Sequence, residues 1–322
     1  MAVFTELSLE DASRVTRAHG LGACSGLVPI AAGSVNTNYF VDGAFGRRFF
    51  RIYEEQDASG VAYEWALLDH LVSAGVAVPH RVRGPGPGEE RVAGKPTAIF
   101  ELVGGEEVCQ KLVTPGRAAA VGAELGRTHR ALSSFGWRRE GRFRRQDLRD
   151  RLDRAATHGR PELVEPIGRL REVLDELDAN EPEDLARGVV HGDLFRDNVR
   201  FEGERIVALL DWESASDGVL AYDLMVTVLA WCFGDRFDWE LARAMVQAYD
   251  RERPLGEVEW SSLRHLGMAA AARFATTRIT DFHLRSGGVG ERVHKDYRRF
   301  LARLEAVAAQ DGGTLARMLG AR

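Results

Sequence analysis

The segment HGDLFRDN, residues 191–198, places a histidine, two aspartates, an arginine and an asparagine directly after the apolar pair Val189-Val190. An apolar run that ends in a dense polar cluster is typical of a strand that leads into a surface turn or into the edge of an active site. Asp, Asn and Gly favour turns in any protein, so the segment by itself leaves both interpretations open.

The residues that follow favour an active site. NVRF (198–201), the turn EGE (202–204) and RIVALLDW (205–212) together predict a β-hairpin. In that hairpin Asn198 and Asp211 would lie side by side at the open end, and their oxygens suit Mg²⁺. Asp193 lies on the loop just before, within reach of a substrate hydroxyl. Phosphoryl transfer requires this arrangement, and the H-x-D-x-x-x-x-N pattern with a later Asp matches a kinase catalytic loop.

The chain around this segment changes character after Gly104-Gly105. Alternating strand and turn patterns over 25–103, with strands near 80–83 and 97–103, predict a five-stranded antiparallel sheet with one helix that ends at Gly75. Helical patterns dominate afterwards, from the Thr114-Pro115 cap onward. We therefore divide the chain into residues 1–103 and residues 104–322.

Composition excludes several classes of protein. The 322 residues are 45% hydrophobic and 28% charged, and the net charge of −5 argues against a nucleic-acid binder. The apolar stretch 219–233 is too short to span a membrane, and the N-terminus does not resemble a signal peptide. Three cysteines far apart in sequence indicate a reducing compartment. We expect a cytoplasmic protein that acts on a small molecule; the sequence does not reveal protein partners.

Several motifs carry a family resemblance. HGDLFRDNV, then LLDWESAS and AYDLMVTVLAWC, resemble the aminoglycoside phosphotransferase/choline kinase superfamily. GSVNTNYFV near the start and ARFATTRITDF near the end make the chain most similar to the homoserine kinases of the protein-kinase-like type. The resemblance implies an α+β, two-lobe fold, with a small antiparallel-sheet N-lobe over 1–103 and a larger, mainly helical C-lobe over 104–322. It also implies ATP and Mg²⁺ as cofactors.

The resemblance assigns roles in the N-lobe. A turn over the ATP phosphates would use Gly33, Ser34, Asn36, Thr37 and Asn38. Arg51 stands where kinases carry a lysine on the third strand, and Glu64 would be its partner on the helix. An arginine keeps the charge and adds a planar fork suited to phosphate. The backbone of Glu101 and Val103 would bind the adenine edge.

Roles in the C-lobe follow from the same motifs. Asp193 is the predicted catalytic base, and Asn198 and Asp211 are the predicted metal ligands. His191 is assigned an architectural role in the loop. Asp223 is expected to cap a helix that begins near Leu224 and to brace the catalytic loop.

Homoserine carries a carboxylate, an ammonium group and a hydroxyl, so its site needs a cation for the carboxylate and an acid or a carbonyl for the ammonium group. Arg273 and Arg278 are the candidates for the carboxylate, and Arg196 and Asp197 are further candidates beside the base. At 100° per residue the two late arginines lie about 140° apart around the helix. We therefore expect only one of them to reach the substrate unless the helix bends.

Two other functions remain open at this level. The same fold could phosphorylate choline, an aminoglycoside, a sugar or another amino alcohol. A pseudokinase that binds nucleotide without catalysis is supported only by Arg51 in place of lysine, whereas Asp193, Asn198 and Asp211 count against it.

Overall fold

Five antiparallel strands and two helices form the first unit of the computed structural model, which describes residues 4–30, 35–284 and 295–321. The sheet has the order β1-β2-β3-β5-β4. Its strands are β1 (Cys24–Ile30), β2 (Thr37–Gly43), β3 (Gly46–Ile52), β4 (Arg91–Val92) and β5 (Lys95–Phe100), and the helices are α1 (Leu9–Ala18) and α2 (Ala58–Ser73).

Capping residues set where both helices begin. The Ser8 side chain accepts a hydrogen bond from the Asp11 N–H ahead of α1, and Asp57 accepts one from Gly60 ahead of α2. Val41, Phe50 and Ile52 of the sheet are fully buried and pack in one core with α1.

The fourth strand differs from the sequence prediction. Residues 80–83 contribute only an isolated bridge between Arg81 and Phe100, and the strand instead lies at Arg91–Val92. Ala93 and Gly94 both have positive φ, at 50° and 78°, and close a two-residue hairpin between β4 and β5. The turn-rich composition around these residues concealed a strand of only two residues.

Helices make up most of the second unit. They are α3 (Pro115–Ala131), α4 (Arg145–Ala156), α5 (Pro161–Ala179), α6 (Leu220–Trp231), α7 (Trp239–Glu252), α8 (Glu257–Arg278), α9 (Arg298–Ala308) and α10 (Gly312–Leu319). Every residue of α6 except Tyr222 is buried, so this helix lies in the core. A π-helix, Ile279–His283, continues α8 directly. None of the helices in the described ranges is long and apolar enough to cross a membrane.

Close packing of α3 on α7 depends on a glycine. A Cβ atom placed on Gly122 would lie 2.0 Å from the Met245 carbonyl oxygen. Since no real contact is that short, any larger residue at this position would push the two helices apart.

Four short strands surround the segment 191–198. β6 (Arg187–Val190) pairs antiparallel with β9 (Ser216–Val219), and β7 (Val199–Glu202) pairs with β8 (Arg205–Leu209) as the predicted hairpin. The division of the chain differs from the contiguous one at 103/104. The first unit runs to Gly105 and also includes Val207–Glu213, where the Leu209 N–H donates to the Ala77 carbonyl at 2.7 Å.

Candidate active site

The catalytic loop begins where β6 ends, and one buried carboxylate holds its first two residues. The N–H groups of His191 and Gly192 each donate to an Asp223 oxygen at 2.7 Å. Gly192 has φ +75°, a conformation that glycine adopts without strain. Since α6 begins at Leu220, Asp223 lies inside its first turn, and the expectation that it caps a helix near Leu224 is wrong.

The other end of α6 holds the rest of the loop. The Trp231 indole donates to the Leu194 carbonyl at 3.0 Å, and Arg196 Nη1 donates to the Ala230 carbonyl and to Gln110 Oε1, both at 2.5 Å. These bonds direct the Arg196 guanidinium towards the helix end. We therefore correct its assignment from substrate ligand to support of the loop.

Two contacts orient the predicted base and one predicted metal ligand. The Asp193 N–H donates to His191 Nδ1 at 3.2 Å, which gives the buried His191 its architectural place. Asn198 Nδ2 donates to the Asp193 carbonyl at 2.8 Å. Because the amide nitrogen makes this bond, the Asn198 oxygen is left to accept a cation.

A buried network extends behind Asp223. His129 Nε2 lies 3.1 Å from Asp223 Oδ2, and His129 Nδ1 lies 2.7 Å from the Tyr249 hydroxyl. The carboxylate can only accept, so His129 Nε2 donates and Nδ1 accepts from Tyr249. Burial alone would raise the pKa of Asp223, but His129, His191 and the Gly192 N–H outweigh burial and hold the pKa below its usual range.

Asp211, the second predicted metal ligand, belongs to the first unit. Its φ of +64° is left-handed, a conformation that costs most side chains about 1–3 kcal/mol and that often marks functional sites. The Trp212 indole donates to the Leu209 carbonyl at 2.9 Å and fixes the chain around it.

Glu213 is a site residue that the sequence analysis missed. It accepts a hydrogen bond from Asn36 Nδ2. Burial and the nearby charge of Asp211 raise the pKa of Glu213 well above its usual range, against the opposing effect of Arg51. The D-x-E spacing after β8 was the signal that could have identified it.

Arg51 and Glu64, paired from the sequence, form an ion pair of 3.4 Å on β3 and α2. Arg51 Nε also donates to Asn38 Oδ1 at 3.3 Å. Burial alone would lower the pKa of Arg51, but Glu64, Asp211 and Glu213 raise it, so this guanidinium stays charged among acids. A guanidinium that stays charged has the planar fork that suits phosphate oxygens.

The predicted phosphate turn is only partly described, since Gly33 and Ser34 lie outside the described residues. The side chains of Asn36, Thr37 and Asn38 are buried and have hydrogen-bond partners within the protein, which corrects their assignment as phosphate donors. Thr37 Oγ1 accepts from Phe4 N–H at 3.0 Å and donates to Glu54 at 2.5 Å. Asn36 and Asn38 bind Glu213 and Arg51, as described above.

The predicted adenine-binding strand end is exposed at Glu101 and partly exposed at Val103. The Glu101 N–H donates to the His80 carbonyl at 2.9 Å, so only its carbonyl could meet an adenine. The Val103 N–H has no partner among the residues that the structure describes.

The two late arginines lie differently with respect to the catalytic loop, and the expectation that only one of them reaches the substrate stays a prediction. Arg273 Nη1 donates to the Gly192 carbonyl at 2.8 Å. Arg278 interacts electrostatically with Asp193 and with Asp197, which is exposed on the 3-10 turn Arg196–Asn198. The chain leaves α-helical geometry only after Arg278, so both arginines belong to the regular part of α8.

The predicted metal ligands carry hard oxygens, the kind of ligand that magnesium prefers. Asn198 lies in the second unit and Asp211 in the first, where the charges of Asp211 and Glu64 act on Glu213. No group of three or more His, Cys, Asp or Glu side chains in the described ranges could hold a metal without other ligands. Magnesium in kinase sites is typically held by one or two protein ligands and by phosphate oxygens.

The sheet of the first unit, the helical second unit and the H-x-D-x-x-x-x-N loop define a phosphotransferase of the protein-kinase-like fold. The chain belongs to the phosphotransferase enzyme family, whose model matches residues 26–257. The superfamily resemblance seen in the sequence motifs is thereby confirmed.

Within this family, similar proteins include homoserine kinases. The homoserine kinase of Nitrobacter winogradskyi is 34% identical over 288 residues, which cover 88% of this chain and 87% of that protein. The homoserine kinase of Methylobacillus glycogenes is 32% identical over 320 residues, 97% of each chain. The narrower resemblance to this branch is confirmed as well.

Solved structures confirm the predicted fold class. A putative aminoglycoside phosphotransferase from Ralstonia eutropha superposes with a TM-score of 0.64 at 19% identity, covering 97% of this chain and 99% of that one. Choline kinase from Cryptosporidium parvum gives 0.62 at 14% identity, covering 92% and 91%. At these identities the likeness concerns the fold alone.

Proposed function

We propose that this chain is an ATP-dependent kinase that converts L-homoserine to O-phospho-L-homoserine, a step of threonine biosynthesis. The sequence likeness to homoserine kinases over most of the chain supports the substrate. The observation that carries the proposal is the pairing of a kinase-type loop with unneutralised cations. Arg273 and Arg278 lie beside the loop of Asp193 and make no ion pair within the described residues. An anionic acceptor would supply the missing negative charge.

The reaction forms one bond and breaks one. The homoserine hydroxyl oxygen attacks the γ-phosphorus of ATP, the bond to the β,γ-bridging oxygen breaks, and ADP leaves. Asp193 orients the hydroxyl and accepts its proton. The Asp223 carboxylate holds the loop in place during this transfer. Arg51, fixed by Glu64, would bind phosphate oxygens. Magnesium, held by Asn198 and Asp211, would neutralise charge on the phosphates.

We place this reaction in the cytoplasm, which supplies ATP. Three free thiols, with Cys109 exposed, suit a reducing compartment.

The test measures ADP release from Mg-ATP with L-homoserine, choline, kanamycin and L-serine as separate acceptors. We expect turnover with L-homoserine at the highest kcat/KM. In Asp193→Asn, kcat falls about 10²–10⁴-fold while the thermal unfolding curve is retained, because only proton acceptance is lost. Turnover restricted to choline or kanamycin would reject the substrate, and normal kcat in Asp193→Asn would reject the base. Absence of turnover with every acceptor would favour the pseudokinase.

A further inference from the structure

The two arginines beside the catalytic loop lie in different surroundings. Arg273 is only 7% exposed, and the rings of Phe143 and Phe274 lie 4.3 and 3.9 Å from its guanidinium carbon. Its Nη1 holds the Gly192 carbonyl, and its Nε is buried without a hydrogen-bond partner among the described residues. A carboxylate that arrives from solvent meets aromatic rings before it meets this cation.

Arg278, by contrast, is partly exposed. Its Nη1 donates to the Asp296 carbonyl at 3.2 Å, and the Phe300 ring lies 4.3 Å from its guanidinium carbon. It makes no ion pair with any described residue, although Asp193 and Asp197 act on its charge from the loop. Burial and the like charge of Arg299 lower the pKa of Arg278 to about 10. The charges of Asp193, Asp197 and Asp296 oppose this shift, but none of these carboxylates forms an ion pair with Arg278.

Two further arginines, Arg299 and Arg303, lie near enough to interact electrostatically with Arg278. Arg299 is exposed near the start of α9, and its guanidinium has no partner among the residues described. Arg303 is buried and donates to the carbonyls of Leu229 at 2.7 Å and of Arg299 at 2.7 Å. Burial and the charges of Arg278 and Arg299 lower the pKa of Arg303 to about 9. Since carbonyls occupy Arg303, the cations open to a ligand are Arg278 and Arg299.

We propose that Arg278, assisted by Arg299, binds the carboxylate of the acceptor, and that Arg273 is a positioning residue that holds the catalytic loop through the Gly192 carbonyl. This division of roles rests on the proposed function, since the carboxylate is that of L-homoserine. A guanidinium fork matches a carboxylate in a bidentate contact. The same pair disfavours an acceptor without a carboxylate, because such an acceptor leaves both charges unneutralised.

The experiment compares two acceptors that differ in one group. L-Homoserine carries the carboxylate, whereas 3-aminopropan-1-ol keeps the hydroxyl and the amine and lacks it. Steady-state ADP release is measured with the full chain and Mg-ATP for Arg278→Gln, Arg299→Gln and Arg273→Gln. Arg298→Gln is the matched control, because Arg298 is exposed and, among the described residues, its ion pair is with Asp296 at 3.5 Å and its aromatic contact is with Tyr297.

The two roles predict different kinetic patterns. Arg278→Gln raises KM for L-homoserine about 10–100-fold with kcat changed less than about threefold, and leaves kcat/KM for 3-aminopropan-1-ol unchanged or higher. Arg299→Gln gives the same pattern at about 3–10-fold. Arg273→Gln lowers kcat for both acceptors by one common factor of about 10–100, with little change in KM, because a displaced loop affects every acceptor. Arg298→Gln changes neither constant.

Conservative variants distinguish a loss of function from misfolding. Arg278→Lys keeps the charge without the fork and recovers part of the affinity. Arg273→Lys can still donate to Gly192 and recovers part of kcat, and a thermal unfolding curve accompanies each variant.

The outcomes separate this assignment from the proposed function. An unchanged homoserine KM in Arg278→Gln, or a rise in that KM confined to Arg273→Gln, overturns the assignment and leaves the kinase activity in place. A wild-type chain that does not turn over L-homoserine overturns both.

Discussion

The catalytic loop and the charged cluster of the first unit differ in how far their charged groups are balanced by partners. The loop at 191–198 is held by hydrogen bonds to α6. At its start, Asp223 accepts two loop N–H groups. At its far end, the Trp231 indole donates to the loop, and Arg196 of the loop donates to the end of α6. The charged cluster is the set Arg51, Glu64, Asp211 and Glu213. It places three acids around one cation, so burial raises the pKa of Glu213.

The difference matches the role proposed for each region in phosphoryl transfer. A base must stay at hydrogen-bond distance from a hydroxyl, and a fully satisfied hydrogen-bond network supplies that rigidity. A site for magnesium and phosphates must instead supply charge that becomes balanced only when those ions bind, and it costs stability in their absence. The following substitutions test this contrast.

Asp223→Asn has the largest expected effect. The substitution puts an amide N–H where both loop N–H groups and His129 need an acceptor, so we expect kcat to fall by at least about 10²-fold and unfolding free energy to fall by about 3 kcal/mol. Steady-state kinetics and urea unfolding measure these. Asp250→Asn is the control, since Asp250 accepts only the Leu255 N–H, at 2.8 Å. A variant with wild-type kcat would show that α6 does not hold the loop.

Arg51→Gln tests the cation of the charged cluster. The substitution removes the partner of Glu64, which is 1% exposed, and the proposed phosphate contact. We expect KM for ATP to rise about tenfold or more, together with a lower melting temperature, because a buried carboxylate loses its counter-charge.

Two further variants show whether the effect depends on the charge of residue 51 and on its position. Arg51→Lys keeps the charge and recovers most of the ATP affinity. Arg47→Gln, on the same strand, removes an exposed ion pair with Asp42 and a cation–π contact with Phe40, and changes little. An unchanged KM for ATP in Arg51→Gln would remove Arg51 from the phosphate site.

Glu213→Gln is expected to stabilise the protein while it lowers activity. The pKa of Glu213 is raised by folding, so its ionised form opposes folding, and this penalty grows as pH rises above the usual carboxyl range. In EDTA without ATP, the melting temperature of the variant exceeds that of wild type at pH 8, and the gap narrows towards pH 5, where Glu213 is protonated. A gap that is constant with pH would contradict this account.

Tyr249→Phe has the smallest expected effect. It leaves His129 Nδ1 without its hydroxyl partner at 2.7 Å, at a cost of about 1 kcal/mol. Because His129 acts on the loop through Asp223, we expect kcat to fall about 3–10-fold with KM for ATP unchanged. Tyr297→Phe is the control, since its hydroxyl makes one long bond of 3.4 Å. Equal kcat in both variants would confine the rigid region to Asp223 and the loop.

Much of the fold could be predicted, because hydrophobic periodicity and capping residues act locally. Thr114 caps a helix where the sequence indicated, and α2 ends at Ser73, two residues before the predicted stop at Gly75. The two-residue strand β4 could not be predicted, because only its pairing with β5 defines it. The helix that carries Asp223 begins at Leu220, one turn earlier than predicted, since nothing local marks its start.

For the site residues too, local spacing could be predicted and contacts between distant positions could not. Motif spacing predicted Asp193, Asn198 and Asp211 as one constellation, and their roles stay predictions. Spacing could not predict that Thr37 would bind the N-terminal segment or that Arg196 would hold the end of α6. Those partners lie 33 and 34 positions away, and only packing brings them together.

The sequence by itself determined the family, the catalytic loop and the types of group available for chemistry, because residue identity and short-range spacing carry that information. Only the tertiary structure decided how the arginines divide their roles. Arg273 and Arg278 are the same amino acid in one helical segment. Aromatic rings enclose Arg273, whereas Arg278 stays partly exposed beside Asp193 and Asp197. Burial and long-range contacts set the free energy of an ionised side chain, and a local sequence pattern predicts neither of them.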